Sequence, residues 1–138
     1  MLGNWYHLAM AKCKLLAFLL CENATRERDG TVTLHGVFDR ITLLGARALP
    51  KLFFVYYKIV VKQPCTVALR VIDPGGGEVA GNWRDTIVQL GPMHSIWALT
   101  TTLFPRPGAY VLELRQETDD SDVLSLASMV FVVDREGE

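Results

Sequence analysis

A membrane-spanning helix needs ~20 consecutive apolar residues, and the 138-residue chain has no run of that length. Its stretch Leu15 to Cys21, preceded by Lys12 and Lys14, has the order of a secretion signal. It holds only seven residues, however, and Leu20 rather than a small residue stands before Cys21. No secretion, lipidation or membrane attachment is therefore expected. An excess of charge of either sign is also missing. Lys and Arg number 14 against 15 Asp and Glu, a net charge of -1, whereas nucleic-acid binders carry a clear basic excess. Nucleic acid is not an expected partner.

Cysteine is scarce. Cys13, Cys21 and Cys65 are odd in number, have no C-x-x-C spacing and sit among apolar neighbours. They read as buried thiols of a reducing, cytoplasmic protein. The three histidines, His7, His35 and His94, lack the H-x-H or H-x-x-x-H spacing that would turn two imidazoles onto one metal ion. No G-x-S-x-G elbow is present, and Gly75-Gly76-Gly77 is not followed by the Lys-Ser or Lys-Thr of a phosphate loop. Without a set of nucleophile, acid and base, the chain is expected to be no enzyme and to use no cofactor.

What the chain has is apolar content in a strand pattern. Half of its residues are hydrophobic. A single domain of this length can bury roughly two-thirds of the surface of its unfolded chain without staples. From Lys12 onward the dominant period is two, which sends alternate side chains to opposite faces of a sheet. Strands are predicted at Lys14–Glu22, Thr31–Phe38, Leu52–Val61, Cys65–Ile72, Glu78–Trp83, Thr86–Leu90, Ser95–Phe104, Ala109–Gln116 and Val123–Val133. Asp73-Pro74-Gly75-Gly76-Gly77 is the strongest turn signal, and Gly91-Pro92 and Pro105 to Gly108 read as breaks. With short links and no helical period, the fold class is all-β, an antiparallel β-sandwich, immunoglobulin-like or similar, of eight to nine strands. The domain runs from residue 12 to 134, with an N-terminal extension at 1–11 and a tail at 135–138. Its core is predicted to hold Phe53, Val55, Tyr57, Val67, Leu69, Tyr110, Leu112, Leu114 and Phe131.

Two segments carry a family resemblance: Ala17-Phe18-Leu19-Leu20-Cys21-Glu22-Asn23 and, after a charged turn, Gly30 to Ile41 with its Gly36-Val37-Phe38-Asp39-Arg40-Ile41 end. Together with the Asp73-Pro74-Gly75 turn and Gly108-Ala109-Tyr110, the pattern resembles an uncharacterised family of small, mostly bacterial all-β proteins. The likeness spans about Lys12 to Val133. It implies the sandwich and brings no activity with it.

Candidate functional residues fall into two groups. Tyr56 with Lys58 and Lys62, and Trp83 and Trp97, combine apolar area with polar handles, as protein-binding surfaces do. Asp119, Asp120 and Asp122, beside Glu117, form the one dense acidic stretch, which as a loop could offer hard oxygen ligands to calcium, or be a solvated turn. Asp39 and Arg40 are expected to cap a strand and tie down a loop over 42–50. Residues 1–69 carry 9 basic and 4 acidic groups, and residues 70–138 carry 5 and 11, so the halves stand at +5 and -6. Near-neutral charge, opposite halves and an unpaired sheet edge together predict a self-associating interaction module, most simply a dimer, or one that binds another protein. The alternative is a loop-based binder of a small ligand or of calcium.

Overall fold

Strand boundaries follow the alternation most faithfully where one face of a strand is buried. The computed structural model describes residues 11–44, 51–79, 81, 83–117 and 123–136. In chain order the strands are β1 (Cys13–Arg26), β2 (Val32–Phe38), β3 (Arg40–Leu44), β4 (Leu52–Val61), β5 (Cys65–Ile72), β6 (Glu78–Val79), β7 (Arg84–Ile87), β8 (Gly91–Thr100), β9 (Gly108–Glu117) and β10 (Val123–Glu136). A 3-10 turn at Thr101–Leu103 is the one helical piece among the described residues. The first sheet runs β2-β1-β4-β8 and the second β3-β10-β9-β5-β6, with β7 also on β5. Every pairing is antiparallel except β3 with β10.

The two sheets face each other as an all-β sandwich, as expected, but with ten described strands rather than eight or nine. β4 and β5 have the predicted bounds. The additional strand is β3, which pairs Arg40 with Val132 and Thr42 with Asp134 where a loop was expected. The anticipated Glu78–Trp83 strand is only β6, and the next one begins at Arg84 rather than Thr86. Gly91-Pro92, expected to break the chain, instead opens β8. That strand is at a sheet edge, where a proline need not donate to a ladder.

All nine predicted core residues lie in one buried cluster between the sheets. The registers explain this: Val55 sits opposite Trp97 and Leu20, and Leu112 opposite Met129 and Val71, so whole rows point inward together. At its centre Phe53, Phe104 and Phe131 touch one another, and Phe38 touches Phe53 and Phe131, with ring centroids 5.2 to 5.9 Å apart. Tyr110, also wholly buried, turns its hydroxyl back to donate to the Arg106 carbonyl at 2.8 Å. A tyrosine tied to the backbone just before its own strand is a recurrent corner of immunoglobulin-like sandwiches. The β5–β6 turn is closed by Gly76, whose φ of 90° suits glycine, and by Asp73, whose carboxylate accepts from the N–H groups of Gly75 and Gly77. Arg106 meets the same carboxylate at 3.0 Å and joins that turn to the approach to β9.

Candidate functional site: an open side of the sandwich

The chain passes from the first sheet to the second at Asp39, between β2 and β3. Both of those strands are short. β2 pairs only with Leu20 to Arg26 of β1, and β3 only with Val132 to Glu136 of β10. On this side of the sandwich, residues 13–19 of β1 and 123–131 of β10 therefore have no strand partner among the described residues. A β-bulge between Leu15 and Ala17 interrupts the β1–β4 ladder behind this edge, and Leu16 there is half exposed.

Two hollows open on either side of Phe38. One, of about 360 Å³, is lined by Phe18, Leu19, Leu20, Val37, Phe38, Asp39 and Met129, all apolar side chains but Asp39. The other, of about 210 Å³, has an apolar floor of Phe38, Ile41, Leu52 and Phe53 with Glu22, Arg40 and Lys51 at its polar rim. Gly36, at φ 66°, leaves the space that Glu22 fills, since a Cβ there would stand 2.9 Å from the Glu22 side chain. Arg40 reaches Asp134 at 2.5 Å, an ion pair across the β3–β10 ladder. Arg40 thus holds a strand and a rim; residues 45–50 of the loop it was expected to tie down lie outside the described residues.

The residues singled out as surface anchors are spread over three places. Trp97 is in the core, with its ring centroid 4.8 Å from that of Tyr57, because the register with Val55 turns it inward. Trp83 is half buried and packs against that core. Tyr56 and Lys58 share the outer face of β4, while Lys62 is exposed just beyond the strand, with its N–H donating to the Lys12 carbonyl. Asp119, Asp120 and Asp122 lie outside the described residues, as does the extension at residues 1–10. Among the described residues, no group of three or more His, Cys, Asp or Glu is placed to hold a metal ion.

Tyr56 is covered in a way the sequence did not signal. The row Cys21–Phe54–Ala98 separates Arg26 from His94 by nine positions along the strands, about 30 Å for a straight hairpin. Yet Arg26 Nη2 donates to the His94 carbonyl at 3.3 Å, and His94 Nε2 donates to the Gly30 carbonyl at 2.9 Å. The β1–β2 hairpin must therefore curl its tip back over the outer face of the sheet. At the other ring nitrogen, His94 Nδ1 and the Tyr56 hydroxyl share a hydrogen bond of 3.1 Å. Burial pushes the Tyr56 phenol up, and Arg26 opposes that shift.

No family model and no curated protein matches the chain. Solved structures do. The C-terminal domain of Wzt aligns with a TM-score of 0.54 over 91% of this chain and 75% of that one, at 13% identity. An immunoglobulin-like protein of Pseudomonas aeruginosa aligns at 0.41 over 91% and 98%, with 18% identity. The cupredoxin domain of AmoB from Nitrosocaldus yellowstonii aligns at 0.40 over 62% and 57%, with 16% identity. At such identities the likeness to the Wzt domain speaks for the two-sheet fold alone.

Among the described residues the ion pairs fall mostly inside the acidic half and leave the imbalance between the two halves of the sequence in place. Arg70 faces Glu78 and Glu113, and Arg84 meets Glu117, all within the acidic half, while Arg40 with Asp134 joins the halves. The open side is where the long strands β1 and β10 run past the short strands beside them. Sequence reasoning missed it because β2 and β3 are each too short to cover the strand they accompany.

Proposed function

We propose that the protein is a non-catalytic β-sandwich interaction module that self-associates through its open side, edge to edge along residues 14–19 of β1. The observation that carries this reading is the stretch of β1 that, on the side away from β4, has no strand partner among the described residues and lies beside the apolar hollow of Leu19, Val37 and Met129. An unpaired edge presents N–H and C=O groups ready for another strand. Charge, proline or a covering loop commonly blocks such an edge; here Lys14 is the single charge between Cys13 and Leu19, and proline is absent. A two-fold pairing of two β1 edges would satisfy those groups, bury Leu16 and bring the two apolar hollows together.

Sedimentation equilibrium at tens of micromolar should return a dimer. Leu16→Asp should return a folded monomer, because half-exposed Leu16 contributes little to the fold. A single wild-type species near 15.4 kDa overturns the reading, and a dimer indifferent to Leu16→Asp moves the interface elsewhere.

A second reading has its own support. The smaller hollow, with one carboxylate and two cations around an aromatic floor, has the make-up of a site for a small, polar, partly apolar ligand. Thermal-shift screening against amino acids, sugars and small carboxylates should find a ligand whose effect is lost in Lys51→Ala. Shifts of equal size in the variant would remove this reading.

A further inference from the structure

Cys13 opens β1 in the first sheet and Cys65 opens β5 in the second, 52 positions later, yet the fold brings the two together. Cys13 pairs with Val61 at the end of β4, and the Lys12 carbonyl accepts the N–H groups of Lys62 and Gln63 as the chain turns toward Cys65. The two thiols stand near enough to act on each other, Cys65 following three residues after Lys62 in the turn that Lys12 holds. Cys13 Sγ also lies 3.6 Å from Gln116 Oε1, an acceptor on wholly buried Gln116 of β9 that takes the Lys12 N–H at 2.8 Å as well. Cys21, the remaining cysteine, lies eight residues away on β1, opposite Val37 and Phe54, and has neither contact.

The pair is not sealed. A surface hollow of about 350 Å³, lined by Lys12, Pro64, Cys65, Thr66, Thr86, Ile87, Val88 and Glu117, ends on Cys65. Lys12, the neighbour of buried Cys13 in the chain, lines the same hollow.

We propose that Cys13 and Cys65 are a redox modification site, a dithiol that a low-molecular-weight disulfide entering this hollow converts into a bond between the two sheets. With oxidised glutathione as the oxidant, the Cys65 sulfur gives up its proton and attacks one glutathione sulfur, and the other glutathione leaves as a thiolate and takes up that proton. The Cys13 sulfur then attacks Cys65 and expels the second glutathione, which leaves with the Cys13 proton. Two thiols and one disulfide become one protein disulfide and two molecules of reduced glutathione. Cys65 is the first nucleophile by position. Burial raises both thiols, Cys13 to about 12, whereas Cys65 is helped back down by Cys13 and by Lys12. Exchange on the folded protein should consequently be slow, and selective for this pair.

The test uses the full, folded chain treated with millimolar oxidised glutathione, then acid-quenched, denatured and alkylated. Two of the three thiols should be protected, a peptide joining Cys13 to Cys65 should appear on digestion, and dithiothreitol should restore all three. Cys21→Ser should oxidise in the same way, and Cys13→Ser should instead hold a lasting glutathione adduct on Cys65. The Cys21→Ser arm keeps the test decisive even if Cys13→Ser does not fold. Three free thiols after oxidation, a bond that includes Cys21, a bond between two chains, or a stable adduct on the wild-type protein would each overturn the assignment.

Discussion

The two long sides of this sandwich are built differently. On the side where β8 lies toward β5 and β7, the sheets are tied together. Trp97 packs on Tyr57, Trp83 and Val79 press on the core, and the Tyr57 hydroxyl crosses from β4 to donate to Asp85 on β7. On the side where β1 lies toward β10, Phe38 is the main plug, with a hollow on each flank and, on each sheet, a run of strand edge without a partner among the described residues. Both sides descend from the same alternating pattern. What separates them is the length of the covering strands, and with it the number of backbone groups left for another molecule.

The contrast can be broken most severely from the shared core. Leu112, fully buried between β5 and β10, should cost about 2 to 5 kcal/mol on truncation to alanine. A urea midpoint that does not move in Leu112→Ala would show the register of β9 to be wrong. Removing the tie on the closed side should cost less. Tyr57→Phe keeps the ring against Trp97 but leaves the half-buried Asp85 carboxylate without its donor, a loss of about 1 to 3 kcal/mol. If chemical denaturation detects no difference, the closed side is held by packing alone.

A smaller, pH-dependent effect is expected at the β5–β6 turn. Partial burial tends to raise the Asp73 carboxyl, but the Gly77 and Gly75 N–H groups and Arg106 overcome it and hold the group below its ordinary value of 3.8. A carboxyl lowered on folding stabilises above that value and loses the contribution as the pH falls through the folded value. The wild-type protein should therefore exceed Asp73→Asn in urea midpoint at neutral pH, and the gap should close with acidification below about pH 4. A gap that persists at pH 2 would place the role of Asp73 in turn shape rather than charge. The smallest effect belongs to the open side: Val37→Ala, at an exposed position, should change stability by no more than about 0.5 kcal/mol. A larger loss would mean that this edge is part of the fold's support and is no free surface.

Legibility in the sequence follows the same division. β4, β5 and β9 bury one face and alternate cleanly, so residues such as Val55, Leu69 and Leu112 declared both their strand and their direction. β3 gave no such signal. Arg40 to Leu44 is five residues long and pairs in parallel with a segment at the far end of the chain, a relation that no local turn announces. Trp97 was misplaced because an aromatic residue serves a core as well as a surface, and only the register with Val55 decides between them. The hollow of Glu22, Arg40 and Lys51 draws on β1, β3 and the approach to β4, and the cover over Tyr56 depends on the curl of a hairpin. Neither is encoded in any window of neighbouring residues.

The parallel ladder of β3 and β10 also constrains the order of assembly. Arg40 and Asp134 are 94 positions apart, so during synthesis β3 leaves the ribosome long before the strand it pairs with exists. The second sheet cannot be completed from that edge until nearly all of the described chain has emerged. Loop closure of this span favours slow folding, in the millisecond-to-second range of sandwiches with distant pairings. In that interval β3 and the β1 edge are exposed together, which makes the nascent chain, rather than the finished protein, the form most vulnerable to pairing with the wrong partner.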